Sequence, residues 1–220
     1  MEGRIHFHSI IKSIRGRVIF YSDSDRLLFV NILRRFLDKH NIILVEFVIM
    51  DNHIHLLIYS ENISNVSKVM QRTNGAYAKM YNKTKNRVGY VFRNRYYTQM
   101  ILTEKQLYNC MVYIHKNPIK ANIVSSIKEY KFSSYKEYIG RKYLICEDSL
   151  KIVFGNMKDY MDIFNEIHKI EEIEDIKEII EDFENDEIII KEYMNEKKKT
   201  LFEIKQNKLL LAELIIRLRY

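Results

Sequence analysis

The chain has one proline, six glycines, two cysteines and no tryptophan in 220 residues. With so few glycines and prolines there is no Gly- or Pro-rich linker to separate domains, and no internal repeat is visible. Two cysteines, Cys110 and Cys146, are too few for a disulfide framework and lack a metal-ligand spacing. They read as free thiols of a reducing compartment, so a cytoplasmic protein is expected. No apolar run reaches the ~18–20 residues that span a bilayer, the N-terminus lacks a signal-peptide pattern, and no membrane partner is expected.

What is present is the composition of a folded protein: 47% hydrophobic, 30% charged and 12% aromatic residues. The length suits one large domain, or one domain with a smaller appendage. Charge divides the chain. Residues 1–140 hold 22 Lys and Arg against 10 Asp and Glu, while residues 141–220 hold 14 against 19. A basic front suggests contact with a polyanion, although many basic domains bind none. The division expected is a domain over 1–140 and a helical accessory region over 141–220.

Periodicity then gives an element order. "RIHFHSIIK" (4–12) alternates as a strand. Residues 24–41 read as a helix with Ser24 as N-cap and a stripe of Leu27, Leu28, Val30, Leu33 and Leu37. Residues 42–50 and 53–60 read as a hairpin turning at Asp51 and Asn52, and 63–86 as a long helix that Gly75 weakens. A strand is expected over 90–102, and a helix over 104–118 that Pro118 stops. The order β-α-β-β-α-β is the split βαβ pattern, so the fold class expected is α+β: a ferredoxin-like βαββαβ core with an antiparallel sheet, a following helix and a helical C-terminal region. Residues 165–199 are charged and helical. The chain stops within "KQNKLLLAELIIRLRY", whose apolar residues space for one helix face and which has no C-cap; it reads as a plain C-terminal helix, an accessory lobe, or the end of a truncated form of a longer protein.

"MDNHIHLLI" (50–58) places His53 and His55 two residues apart in an apolar strand, so both imidazoles project from one face. Two such rings can share one divalent cation, but two donors do not complete a site, and an isolated His-x-His is ordinarily a pair of core or surface histidines. "YIHKNP" (113–118) supplies a second group. Tyr113 and Asn117 lie four residues apart on one helix face, the amide oxygen a hard ligand for Mg²⁺ or Mn²⁺ and the phenol a possible nucleophile. His115 falls off that face. Tyr96, Tyr97 and Tyr108 rival Tyr113 on position alone.

"MDNHIHLLI", "VFRNRYYTQMILTEKQLYNCMVYIHKNPIKANIV" and "YKFSSYKEYIG" together resemble the single-tyrosine HUH transposases, in particular the REP-associated tyrosine transposase branch, over about residues 4–140. The resemblance implies His53, His55 and Asn117 as metal ligands, Tyr113 as the nucleophile, and Mg²⁺ or Mn²⁺ as cofactor. It implies cleavage and rejoining of single-stranded DNA beside a hairpin through a 5′-phosphotyrosine, and it leaves monomer and homodimer both open. The DNA contacts expected are Arg15, Arg17, Lys83, Lys85, Arg87, Arg93 and Arg95, with Tyr90, Phe92, Tyr96 and Tyr97 interleaved for base stacking. Two other readings use the same residues differently: a single-strand nucleic-acid-binding module without cleavage, and a replication-initiator or relaxase nuclease.

Overall fold

The computed structural model describes residues 5–93, 95–140, 147–154, 160–169 and 193–199. The chain divides into two compact units, residues 1–171 and 172–220. The first contains β1 (Ile5–Lys12), α1 (Asp23–Lys39), β2 (Ile43–Ile49), β3 (His53–Ser60), α2 (Ile63–Thr84), β4 (Tyr97–Ile101), α3 (Glu104–Lys120), and then α4 (Tyr135–Ile139), α5 (Glu147–Phe154) and α6 (Tyr160–His168). In the second unit the described residues include a helical turn at 193–197. The C-terminal segment 205–220 lies outside the described residues. Among the described residues no helix is long and apolar enough to cross a membrane.

The four strands form one antiparallel sheet in the order β2-β3-β1-β4, the ferredoxin-like arrangement, with the catalytic-candidate helix α3 following β4. Alternation sorts the side chains. Ile54 pairs with Ile11 and Ile49, and Leu56 with Ser9 and Phe47, all on one face and all buried. His53, His55 and Leu57 take the other face with His8 and Ile10. Helices α1 and α2 pack on each other and on the sheet, while α3 and α5 pack over β2 and β3. Both faces are therefore covered, which explains why β2 and β3 read as continuous apolar runs.

The helices differ from the sequence expectation in detail. Ser22, not Ser24, caps α1: its backbone is extended, its hydroxyl accepts from the Asp25 N–H at 3.2 Å, and the Asp25 carboxylate accepts from the Ser22 N–H at 3.0 Å. This reciprocal box needs an acid three residues after the cap, and Ser24 has Leu27 there. Ser22→Ala should cost about 1 kcal/mol in a denaturant melt, and Ser24→Ala close to nothing. The inward stripe of α1 is Arg26, Phe29, Val30, Leu33 and Leu37; Leu27 is exposed.

Pro118 does not stop α3, which runs on to Lys120. A proline removes one backbone donor, and so close to the helix end the loss is local. The last strand is shorter than 90–102. Gly89 sits at φ +101°, and β1 gives way at Ile14–Gly16 to a 3-10 turn in which Arg15 and Gly16 have positive φ. Among the described residues just before Tyr97, pairing is therefore reduced to the isolated bridge of Phe92 with Ser13.

β2 is an edge strand, and the chain after α3 closes it. The Ser134 N–H donates to the Phe47 carbonyl at 2.9 Å, the Ile49 N–H donates to the Phe132 carbonyl at 2.9 Å, and the hydroxyls of Tyr130, Tyr138 and Ser149 donate to the carbonyls of Ile49, Val45 and Leu44. An edge satisfied in this way offers no open ladder to a second sheet.

Candidate active site

β3 and α3 bring two pairs of side chains together. His53 opens β3 directly after the hairpin turn, and alternation sends His55 to the same face. α3 starts at the Thr103 cap, where the threonine side chain accepts from the Gln106 N–H. Three turns later it sets Tyr113 and Asn117 against those rings. The His53 Nε2 lies 3.1 Å from the Asn117 Oδ1, and the His55 Nε2 lies 3.4 Å from the Asn117 Nδ2. The Tyr113 ring packs edge-on to His55, with centroids 5.3 Å apart. All four side chains come from one chain.

The far nitrogen of each imidazole is also held. The His53 Nδ1 lies 2.6 Å from the Asn52 Oδ1, and the His55 Nδ1 lies 3.1 Å from the His8 Nε2. The Asn52 Oδ1 can only accept, so in a neutral His53 ring the hydrogen sits on Nδ1 and Nε2 keeps its lone pair, the usual support of a metal-binding histidine; His8 holds the ring angle of His55. Burial lowers the pKa of His53, and lowers that of His55 well below its usual value with help from His8 and His53. Both rings are therefore neutral near pH 7, the form that ligates. Burial also pushes the Tyr113 phenol up to about 12, against a hydrogen bond with Asn117 that pulls it down. The Lys120 ammonium sits 4.9 Å from the centre of the Tyr113 ring.

The donor chemistry suits a divalent ion. Among the described residues no group of three or more His, Cys, Asp or Glu side chains is arranged to hold a metal, so an ion here would take two histidine nitrogens and the Asn117 amide oxygen. Such a set leaves positions for phosphate oxygens.

The rival tyrosines stand apart from this cluster. Tyr96 donates its hydroxyl to Ser67 at 2.6 Å, and Tyr108 stacks on Phe154. Tyr97 lies two strands from His55 on the same sheet face. The basic residues fall into two settings. Arg15 and Arg17 are exposed on the loop after β1, and Asn52 donates to the Gly16 carbonyl at 3.1 Å, so this loop adjoins His53. The Arg93 N–H donates to the Lys12 carbonyl, opposite His53 in the register. Lys83 and Arg87 border a 360 Å³ pocket with Asn82, Asn86 and Val88 at the end of α2. Lys85 reaches Asp25 at 3.9 Å and lies over the Tyr21 ring. Arg95 is exposed. Tyr90 is 81% exposed, as a stacking platform requires, whereas Phe92 packs against Tyr77.

Sequence reasoning missed His8, Asn52 and Lys120. A signal for His8 existed: His6 and His8 repeat the His-x-His spacing on β1, the neighbour of β3.

A model of the family described as IS200-like transposases matches residues 3–117. The chain belongs to this family. The match to the IS200-like transposases runs through β1 to Asn117 and so includes all four clustered side chains. Among solved structures, a REP-associated tyrosine transposase bound to a REP hairpin is similar in fold: 13% identity over 64% of this chain and 82% of that one, TM-score 0.54. A protein assigned as a transposase of Deinococcus radiodurans R1 has 16% identity over 56% of this chain and 93% of that one, TM-score 0.36. No curated protein matches.

Proposed function

We propose that this IS200-like transposase cleaves and rejoins single-stranded DNA with Tyr113 as nucleophile and a divalent ion, Mg²⁺ or Mn²⁺, held by His53, His55 and Asn117. The observation that carries the reading is the convergence of both histidine Nε2 atoms on an amide one helical turn from a phenol. A non-catalytic binding sheet gives no reason for that arrangement.

Bound there, the ion supplies Lewis-acid polarisation of the scissile phosphate. The chain's own groups do the rest. The Tyr113 Oη attacks phosphorus, a tyrosine–phosphate bond forms to the 5′ side, and the leaving oxygen takes a proton and departs as a 3′-OH. A second 3′-OH reverses the attack and releases the phenol, so no nucleotide cofactor is needed. A phenol raised to about 12 is protonated at neutral pH, so attack requires loss of that proton as the phosphate docks. The Asn117 hydrogen bond favours the ionised phenol, and the Lys120 ammonium adds positive charge at the ring. Nucleophile and donors on one chain support a site that needs no second copy. The REP hairpin held by the structurally similar transposase supports a hairpin-bearing single strand as substrate.

The test is an oligonucleotide carrying a hairpin and a single-stranded flank, incubated with Mn²⁺ and resolved on a denaturing gel. Wild type should form a covalent adduct that maps to the Tyr113 peptide, and Tyr113→Phe should form none while binding the DNA within a few-fold of wild type. An adduct that persists in Tyr113→Phe would make another tyrosine the nucleophile.

Binding should also be salt-sensitive. Arg15, Arg17, Lys83, Lys85, Arg87, Arg93 and Arg95 offer up to seven phosphate contacts, and each contact made contributes a log–log slope of about −0.7 on a single strand. A flat salt response in fluorescence anisotropy would exclude these residues as the DNA surface.

A further inference from the structure

On the side of α3 away from the rings of β3, His115 sits fully buried between Tyr113 and Asn117 in sequence. Its partners lie far along the chain. Its Nδ1 is 2.8 Å from the His168 Nε2 on α6, and its Nε2 is 2.8 Å from the Ser134 Oγ. The His168 Nδ1 lies 2.6 Å from the Phe164 carbonyl. Glu46 of β2 lies 3.6 Å from the His115 Nε2, and the rings of Tyr135, Tyr138 and Phe164 enclose the imidazole.

The proton positions follow from the Phe164 carbonyl at the far end of this network. A carbonyl oxygen never donates, so the His168 Nδ1 carries hydrogen and, in a neutral ring, its Nε2 accepts. The His115 Nδ1 must then donate to His168, and the His115 Nε2, left without hydrogen, accepts from the Ser134 hydroxyl at 2.8 Å. The Ser134 oxygen accepts from the Phe47 N–H at 3.0 Å, while the Phe47 carbonyl, 3.1 Å from the same oxygen and already accepting the Ser134 N–H at 2.9 Å, is the longer alternative for the hydroxyl hydrogen. Every donor runs one way, from edge strand β2 through Ser134 and α3 to α6, with no ring charged. Burial favours the neutral form of both imidazoles and pushes the pKa of the Glu46 carboxyl up beside them.

We propose that the Ser134–His115–His168 relay is a positioning device for the reaction: it fixes the rotation of α3 about its own axis, and so sets Tyr113 and Asn117 on the rings of β3. On this view α6, beyond the 3–117 segment that matches the family, is needed for catalysis. The inference rests on the catalytic reading above. A helix 17 residues long that turns slightly about its axis carries a phenol on its far side by about an ångström, and a displacement of that size at a reacting centre costs up to ~100-fold in rate.

His168 tests the relay, because it lies on α6 and touches neither Tyr113 nor the β3 histidines. His168→Leu keeps bulk and removes the acceptor; His168→Gln places an amide oxygen near the position of Nε2. The expected result is a roughly 10- to 100-fold fall in kcat for adduct formation in His168→Leu, unchanged KM and hairpin affinity, and recovery to within a few-fold in His168→Gln. Long-range ¹H–¹⁵N spectra of the wild type should show His115 protonated at Nδ1. The proposal is overturned if the Leu and Gln variants behave alike, if kcat follows only the melting temperature across the variants, or if His115 carries its proton on Nε2. Wild type that forms no adduct defeats the catalytic reading, and the proposal with it; a normal wild type beside a fully active His168→Leu defeats the proposal alone.

Discussion

His53→Ala and His55→Ala should each lower metal-dependent cleavage by roughly a thousandfold or more, because a bound ion supplies several kcal/mol of transition-state stabilisation and two remaining donors hold it poorly. Hairpin binding should change little, since the basic loops make the phosphate contacts. The two variants should part company in stability. His53 is half-buried and its outer nitrogen faces Asn52, so its loss exposes polar groups to water. His55 is 2% exposed, and its removal strands the buried His8 Nε2, at a cost of about 1–3 kcal/mol. Cleavage rate and Mn²⁺ affinity, read by electron paramagnetic resonance, should therefore fall in both variants, and the melting temperature mainly in His55→Ala. Full cleavage by His53→Ala at saturating Mn²⁺ would remove His53 from the proposed metal set.

That asymmetry also marks where sequence reading reached and where it stopped. Local patterns were legible: alternation in 53–60 placed both imidazoles on one face, the i,i+4 spacing placed Tyr113 with Asn117, and the alternation of strands and helices gave the ferredoxin-like fold class. Features that depend on distant backbone were not. Two serines precede acids near α1, and the cap falls on Ser22, where the extended backbone meets an acid three residues on. The stretch 90–96 is rich in β-formers, but a strand needs a continuous partner, and the chain after β1 turns away at Ile14–Gly16 once Ser13 has bridged to Phe92. The His8–His55 contact joins residues 47 apart, and the His115–His168 contact residues 53 apart. In the sequence each of these histidines looks like a polar interruption of an apolar face. The contact of α6 with α3 within the first compact unit is of the same kind, since no local pattern announces it.

Acid should unfold this protein well before its carboxylates alone would. Burial pushes His8 and His168 down to about 4, sets His55 and His115 well below the usual imidazole value, and lowers His53. In the unfolded chain each ring takes up its proton near pH 6.5, whereas the folded protein resists until about pH 4 for His8. The unfolded state therefore binds more protons across that window, and stability falls as pH falls. A shift of this size is worth on the order of 3 kcal/mol for His8 once pH reaches the folded value. Domain stabilities are typically about 5–15 kcal/mol, so two or three such rings suffice to unfold the chain. Glu46 acts in the opposite sense, because burial raises its pKa and the folded state binds that proton first, but it is one group against several. The same shifts keep His53 and His55 neutral below pH 6.5, so the acid limb of cleavage should lie lower than an ordinary imidazole would place it and should coincide with unfolding. Circular-dichroism melts at pH 7.5, 6.5, 5.5 and 4.5 should show the midpoint dropping with each step below 6.5, and His168→Gln, with one fewer titrating ring, should show a shallower decline. A midpoint that stays level from 6.5 to 4.5 would mean that the histidines gain their protons without leaving the core, and the neutral network assigned to them would be wrong.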